Sequence, residues 1–276
     1  MRIDEISGKL HKKRDGIWYA GSDHKISYPE ESYEVCFEVE ESSFWFRHRN
    51  RCILELVKRF PPGGPLFDIG GGNGYVSSVL QSAGYETVLV EPGAAAARNA
   101  KIKRGLPDVV CAPFEEAGFH DESLPDAGLF DVLEHIRDDS EFLSNLHTLL
   151  RPGGRLYVTV PAYGFLWSDE DTRAGHYRRY TLPTLSRALS GSGFQIEYAT
   201  YFFSWLMLPI FLFRTIPGRL GLCGNKSVRE AAKDHIKTQN MTGRLIGGLL
   251  GGELGRLRKG KSLPFGTSCL VVAKRG

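Results

Sequence analysis

Leu66-Phe67-Asp68-Ile69-Gly70-Gly71-Gly72-Asn73-Gly74-Tyr75 is the stretch whose reading decides the fold. An apolar run carries an acid, turns over a glycine cluster and passes into the helical pattern Val76-Ser77-Ser78-Val79-Leu80. Residues without a Cβ let the backbone turn tightly and let a ligand approach main-chain N–H groups. The helix that follows offers unpaired donors and a positive dipole end. Gly70, Gly72 and Gly74 form G-x-G-x-G, a weak signal alone. A turn of the NAD kind needs G-x-G-x-x-G/A, and that last position falls on bulky Tyr75, which argues against NAD. A second acid supplies the context. Strand-like Thr87-Val88-Leu89-Val90 ends in Glu91, and Glu91-Pro92-Gly93 stops the strand sharply. A carboxylate about twenty residues after the glycine turn is where a β-α-β unit meets a ribose. The two features together read as a nucleoside site.

In this order the residues resemble the class I S-adenosylmethionine-dependent methyltransferases. Asp68, Gly70, Gly72 and Gly74 match the family's acid-x-G-x-G-x-G, and Glu91 matches the acid ending its second strand. The signature around strand four resembles Ala127-Gly128-Leu129-Phe130-Asp131-Val132-Leu133-Glu134-His135. Strand five, after a Pro-Gly-Gly turn, resembles Arg151-Pro152-Gly153-Gly154 and the run to Pro161. Two departures stand out. Gly71-Gly72-Asn73-Gly74 replaces the Cys-Gly-Thr-Gly of many relatives. Cys111-Ala112-Pro113-Phe114-Glu115 lacks the usual acid for the adenine amine, leaving adenine to backbone, Phe114 or Glu115.

The resemblance implies an α/β, Rossmann-like methyltransferase fold, a mostly parallel sheet with one antiparallel strand. An N-terminal arm and lid helix would take residues 1–60, the core residues 61–202 and 263–276, and a helical cap insertion residues 203–262. It implies S-adenosylmethionine as cofactor, held by Trp45, Arg47, Asp68, Gly70, Gly72, Glu91, Pro92, Pro113, Phe114, Asp131 and Val132. Arg47 would hold the cofactor's carboxylate. The Phe44–Asn50 segment, the Val160–Trp167 loop, Gly175–Tyr180 and Pro264–Ser268 together resemble a bacterial subgroup linked to surface-glycan or secondary-metabolite pathways.

Working outward, a helix starts at Ser42 or Ser43 and runs at helical spacing through Ile53, Leu54, Leu56 and Val57 to Pro61-Pro62-Gly63-Gly64. Strands are expected near 65–69, 86–91, 108–111, 127–132, 154–160 and 194–201, with a final one at 263–273. Helices alternate with them near 73–83, 93–103, 138–150 and from Thr181 to Ser190. Residues 1–41 show no period and read as a loop-rich arm, packed through Trp18, Tyr28 and Tyr33. Residues 202–213 are the most apolar segment, too short to span a bilayer; they read as a buried cap helix or an interfacial helix touching lipid or an apolar substrate through 202–216. Residues 217–242 look polar, and 243–258 helical.

The loop after strand five mixes aromatics, acids, His176, Arg178 and Arg179 too densely for an idle connector. His135 and His176 are the candidate bases, with Tyr177 beside them, because an imidazole exchanges protons near neutral pH. Asp131 orients cofactor or nucleophile. No metal is expected, since the 8 histidines form no H-x-x-x-H or H-E-x-x-H. The 5 cysteines are scattered, with no C-x-x-C, which fits a reducing cytoplasmic setting. A net charge of +3 on 276 residues gives no reason to expect nucleic acid, and the N-terminus lacks the apolar core of a signal peptide. The expected activity is methyl transfer to an oxygen or nitrogen of a small molecule, a biosynthetic transferase. The alternatives are aminopropyl transfer or cyclisation with release of methylthioadenosine, and a non-catalytic nucleoside-binding subunit. Oligomeric state is beyond the sequence.

Overall fold

The apolar runs become nine strands among the described residues: β1 (His11–Lys12), β2 (Trp18–Tyr19), β3 (Leu66–Ile69), β4 (Thr87–Val90), β5 (Val109–Cys111), β6 (Asp126–Phe130), β7 (Arg155–Pro161), β8 (Phe194–Phe202) and β9 (Ser268–Arg275). They form one sheet in the order β1-β2-β5-β4-β3-β6-β7-β9-β8 in the computed structural model, which describes residues 2–21, 34, 37–219 and 241–276. The run from β2 to β7 is parallel, while β9 inserts antiparallel between β7 and β8. Every residue of β3, β4 and β6 is buried. That continuous burial is what a parallel sheet covered by helices on both faces demands, and it explains why these strands read as apolar runs rather than alternations.

Helices return the chain between strands. The Phe44–Arg59 helix is capped by Ser43, which accepts from Trp45 N at 3.2 Å, and it precedes β3. The Tyr75–Ser82 helix joins β3 to β4. The Asp139–Leu149 helix, capped by Asp138, joins β6 to β7, and the Leu182–Gly191 helix, capped by Thr181, leads to β8. This topology lines up the C-terminal ends of β3, β4, β6 and β7 along one rim. There Gly70 N donates to Val90 O at 2.7 Å and Asp131 N to Thr159 O at 2.9 Å.

Several expectations change. The N-terminal arm folds more than a loop would: a turn at Ile3–Ile6 buries both isoleucines, and the β1–β2 hairpin extends the sheet by pairing Trp18 with Val110 and Tyr19 with Cys111. Two-residue strands carry no readable period. Tyr28 and Tyr33 lie outside the described residues, as does most of 217–242. The helix expected at 93–103 starts as Ala94–Arg98 and widens into a π-helical Asn99–Lys103. The last strand begins at Ser268 rather than at 263. The apolar segment after β8 is not a buried helix. It is a chain of short helical turns from Ser204 to Arg219 that leaves Trp205, Leu208, Leu212 and Phe213 exposed. Among the described residues no helix is long and apolar enough to cross a membrane.

Candidate functional site

The glycine bend does what its composition requires. Gly70, Gly72 and Gly74 have φ of +69°, +57° and +74°, a region that side chains with a Cβ avoid. Gly71 has ordinary φ but no room: a Cβ there would meet Leu89 Cδ1 at 2.5 Å and Asp68 Cγ at 2.6 Å. At Gly72 a Cβ would meet nothing within 4 Å among the described residues, so none of them crowds this side of the bend. Glu91 is buried at the end of β4 and turns toward the bend, accepting from Gly72 N at 2.9 Å and Gly93 N at 2.7 Å. Carboxylate and bend therefore occupy one spot on the rim. Val132 closes the bend from the other side, where a Cβ on Gly70 would meet Val132 Cγ2 at 2.9 Å. Beneath it, Asn73 is tied to Asn99 and Glu40, and Arg104 binds Asn73 O while lying 4.6 Å from the Tyr75 ring centroid. That contact accounts for the bulky residue at the end of the glycine run.

Asp68 is fully buried under the bend. It accepts from Ser77 Oγ at 2.7 Å through Oδ2, and Oδ1 has no hydrogen-bond partner among the described residues. Burial pushes its carboxyl up to about 6 from 3.8, against the opposing hydrogen bond from Ser77. Between about pH 4 and pH 6 the native chain thus holds a proton that the unfolded chain releases. Stability falls as pH rises through that window, by about 3 kcal/mol at about 1.4 kcal/mol per pKa unit. In urea unfolding at a series of pH values, Asp68→Asn is expected to flatten this slope by that amount. A mutant slope equal to wild type would show that Asp68 does not carry the proton.

On the side expected to meet the methionine end, the candidate residues part company. Arg47 is exposed, and Arg49, two positions on, is the arginine that turns inward. Its Nη1 donates to Asp131 Oδ2 at 2.6 Å, and its guanidinium lies 5.4 Å from the Trp45 ring centroid. Trp45 stacks on Phe203 at 5.5 Å, so its ring is part of the packing that sets the helix in place. Asp131 has φ +60° and also accepts from Thr159 Oγ1 at 3.1 Å. A non-glycine residue at positive φ stores strain of the sort found at functional rims. Phe114 is a correction too. Its ring is buried against Phe119 and Phe142, 6.0 and 5.6 Å between centroids, and so belongs to the core rather than to an adenine. Pro113 and Pro92 are half-buried at the ends of β5 and β4.

Past β6 a second group of polar side chains gathers. His135 and His176 meet edge to face with ring centroids 4.7 Å apart. His176 Nδ1 lies 2.8 Å from Asp171 Oδ1, and Arg179 grips the same carboxylate with Nε at 2.7 Å and Nη2 at 2.9 Å. Burial raises Asp171, but the bonds from His176 and Arg179 outweigh it and hold the carboxyl well below the usual range. An ionised carboxylate only accepts, so His176 Nδ1 carries the proton. Desolvation, and then the neighbouring His176, lowers His135 to about 4, while a bond to the Ala174 carbonyl opposes the shift. Glu134 is buried beside them and is pushed well above its ordinary value, by desolvation first and then by Asp131. Tyr177 brings only its backbone inward, N–H to Glu134 O at 2.8 Å, and its side chain is 55% exposed. The sequence reading did not single out Glu134 or Arg49 as site residues; it allowed Arg178 or Arg179 either an anionic substrate or a pairing with Asp169 or Asp171, and Arg179 takes Asp171. For Arg49 the signal was present in the helical phase, since it precedes Ile53 by four residues and Leu56 by seven.

Comparison with known proteins agrees with this geometry. A family model described as a methyltransferase domain matches residues 44–199. A protein of Mycolicibacterium smegmatis described as a probable S-adenosylmethionine-dependent methyltransferase is 24% identical over 161 residues, 58% of this chain and 62% of that protein. A Mycobacterium tuberculosis protein of like description is 22% identical over 159 residues, 57% of this chain and 58% of its own. The chain thus spans about three fifths of the length of the curated relatives it matches. Among solved structures, Haemonchus contortus phosphoethanolamine N-methyltransferase 2 with S-adenosyl-L-methionine superposes with a TM-score of 0.55 at 18% identity, covering 91% of this chain and 58% of that one. A SAM-dependent methyltransferase from Archaeoglobus fulgidus gives 0.50 at 15% identity, covering 82% and 94%. These two likenesses are of fold alone. With more than half of its residues under the family model, the chain belongs to the methyltransferase-domain family.

Proposed function

We propose that this chain transfers the methyl group of S-adenosylmethionine to an oxygen or nitrogen of a small-molecule acceptor. The observation that carries the reading is the bond from Gly72 N to the Glu91 carboxylate, which puts a ribose acceptor and a bare main-chain bend side by side on the rim. A carboxylate has about four acceptor sites, and ribose hydroxyls are natural donors to it. The uncrowded side of Gly72 gives the adenosine room, and Val132 and the backbone at Pro92 and Pro113 flank it. Arg49, steadied by Asp131 and Trp45, stands in for the expected Arg47 as the cation at the methionine end.

When bound, S-adenosylmethionine supplies an electrophilic methyl whose leaving group departs as a neutral thioether. The protein's share is alignment and exclusion of water. His135 and His176 form the wall past β6 where the nucleophile is received. The short turns after β8 rest on the loop that carries His176, through Phe211 against Phe165 and through an Arg214–Glu170 ion pair. Their exposed Trp205, Leu208 and Phe213 suit an acceptor with an apolar part, or one presented at a membrane surface.

The test is to incubate the chain with methyl-labelled S-adenosylmethionine and a protein-free small-molecule extract, then separate the nucleosides. S-adenosylhomocysteine, with label in a new small molecule, is the expected outcome. Methylthioadenosine would place the reaction at the aminopropyl carbons, and binding without turnover in any extract would make the chain a partner subunit.

A further inference from the structure

We infer that Glu134, His135 and His176 form a binding site for one divalent transition-metal cation on the acceptor side of the rim. One nitrogen of each imidazole and one oxygen of the Glu134 carboxylate lie within 4.8 Å of one another. Two imidazoles and a carboxylate are a donor set that suits first-row ions such as Zn²⁺, Co²⁺ or Fe²⁺ and leaves coordination positions open. Ligands on one ion sit at most about 4.2 Å apart, twice a bond of about 2.1 Å. A pair at the 4.8 Å limit therefore closes by at least about 0.6 Å, a movement the exposed His135 can supply.

Two further features distinguish this cluster from a chance gathering of polar groups. His176 already has one ring nitrogen engaged: its Nδ1 donates to Asp171 Oδ1 at 2.8 Å. Fixing the second nitrogen on a carboxylate or a backbone carbonyl is how proteins orient histidine ligands and set their tautomer. Arg179, with both nitrogens on Asp171, holds the carboxylate that holds His176. The second feature is Glu134, 1% exposed, whose Oε2 has no hydrogen-bond partner among the described residues. A buried carboxylate oxygen left unpaired is costly, and a cation between it and the imidazoles removes that cost. The other grouping of similar donors, His48, Cys52 and Glu253, differs on this point. There Glu253 is fully engaged with His48 and two backbone amides.

Three protein ligands leave positions for an acceptor oxygen. This consequence rests on the methyl-transfer reading, whereas the metal site itself does not. A cation lowers the pKa of a bound hydroxyl. The hydroxyl proton leaves to water, the oxygen lone pair forms the new C–O bond, and the C–S pair returns to sulfur as the thioether. The acceptor would then be a hydroxyl compound, favoured over an amine.

Chelator-treated full chain should be titrated with Co²⁺, followed by visible absorption and calorimetry, and separately with Zn²⁺. One equivalent is expected to bind with micromolar or tighter affinity. Glu134→Gln and His176→Ala should each weaken it at least 10-fold, and Asp171→Asn by 10- to 100-fold through the orientation of His176. S-adenosylmethionine binding, measured on the same samples, reports that each variant is folded and keeps the two readings apart. Absence of stoichiometric cobalt binding in a wild-type chain that binds S-adenosylmethionine would overturn the site. So would cobalt affinity unchanged by both Glu134→Gln and His176→Ala.

Discussion

Replacing Glu253 by alanine is expected to cost the fold about 3–5 kcal/mol, the range seen when one partner of a buried polar cluster is removed. Glu253 is 2% exposed, and its carboxylate takes three bonds: His48 Nε2 lies 2.8 Å from Oε1, Phe203 N donates to Oε1 at 2.7 Å, and Ser204 N donates to Oε2 at 2.9 Å. Burial alone would raise the carboxyl, but these bonds lower it below its ordinary value. The knot holds a non-glycine residue, Phe203, at φ +59°, and it fastens the Phe44–Arg59 helix to the Met241–Arg258 helix. Alanine would strand two buried amides and an imidazole. Equilibrium urea unfolding at neutral pH should register the loss, with Glu253→Gln intermediate because one amide oxygen remains to accept. A loss under about 1 kcal/mol in the alanine variant would mean that the knot is not under load.

How far the sequence reached follows from what each feature depends on. The glycine bend was legible because positive φ and close approach are local demands, and only glycine meets them. The βα alternation was legible because doubly covered strands are apolar throughout while the helices between them keep a helical period. The β1–β2 hairpin was not, because a two-residue strand has too few positions to show alternation. Phe114 misled for a different reason: a rim position says where the backbone lies, and the ring swung back to Phe119 and Phe142. Choosing Arg47 over Arg49 ignored the phase set by Ile53 and Leu56 on the same helix. The His48–Glu253 knot, 205 residues apart, and the meeting of Glu134 with His176 exist only in the folded chain. No local pattern announces them. The exposed turns after β8 show the limit of reading burial from composition, since Phe213 is 80% exposed in the most apolar segment of the chain.

Removing the carboxylate of Glu91 is expected to weaken S-adenosylmethionine binding by at least about 100-fold, because hydrogen bonds to a charged acceptor contribute about 1.5–3 kcal/mol each and a ribose offers two hydroxyls. The variant also deprives Gly72 N and Gly93 N of their acceptor, so the bend loses its shape as well as its partner. Glu91→Asp, which keeps the charge on a shorter arm, should fall between the two. Titration calorimetry of S-adenosylmethionine into the wild-type chain and into Glu91→Ala, at matched pH and salt, tests this most directly. One saturable site in the wild type and little or no heat in the variant is the predicted result. Equal affinity in the two, or no binding by the wild type, would contradict the placement of an adenosine between Glu91 and the glycine bend.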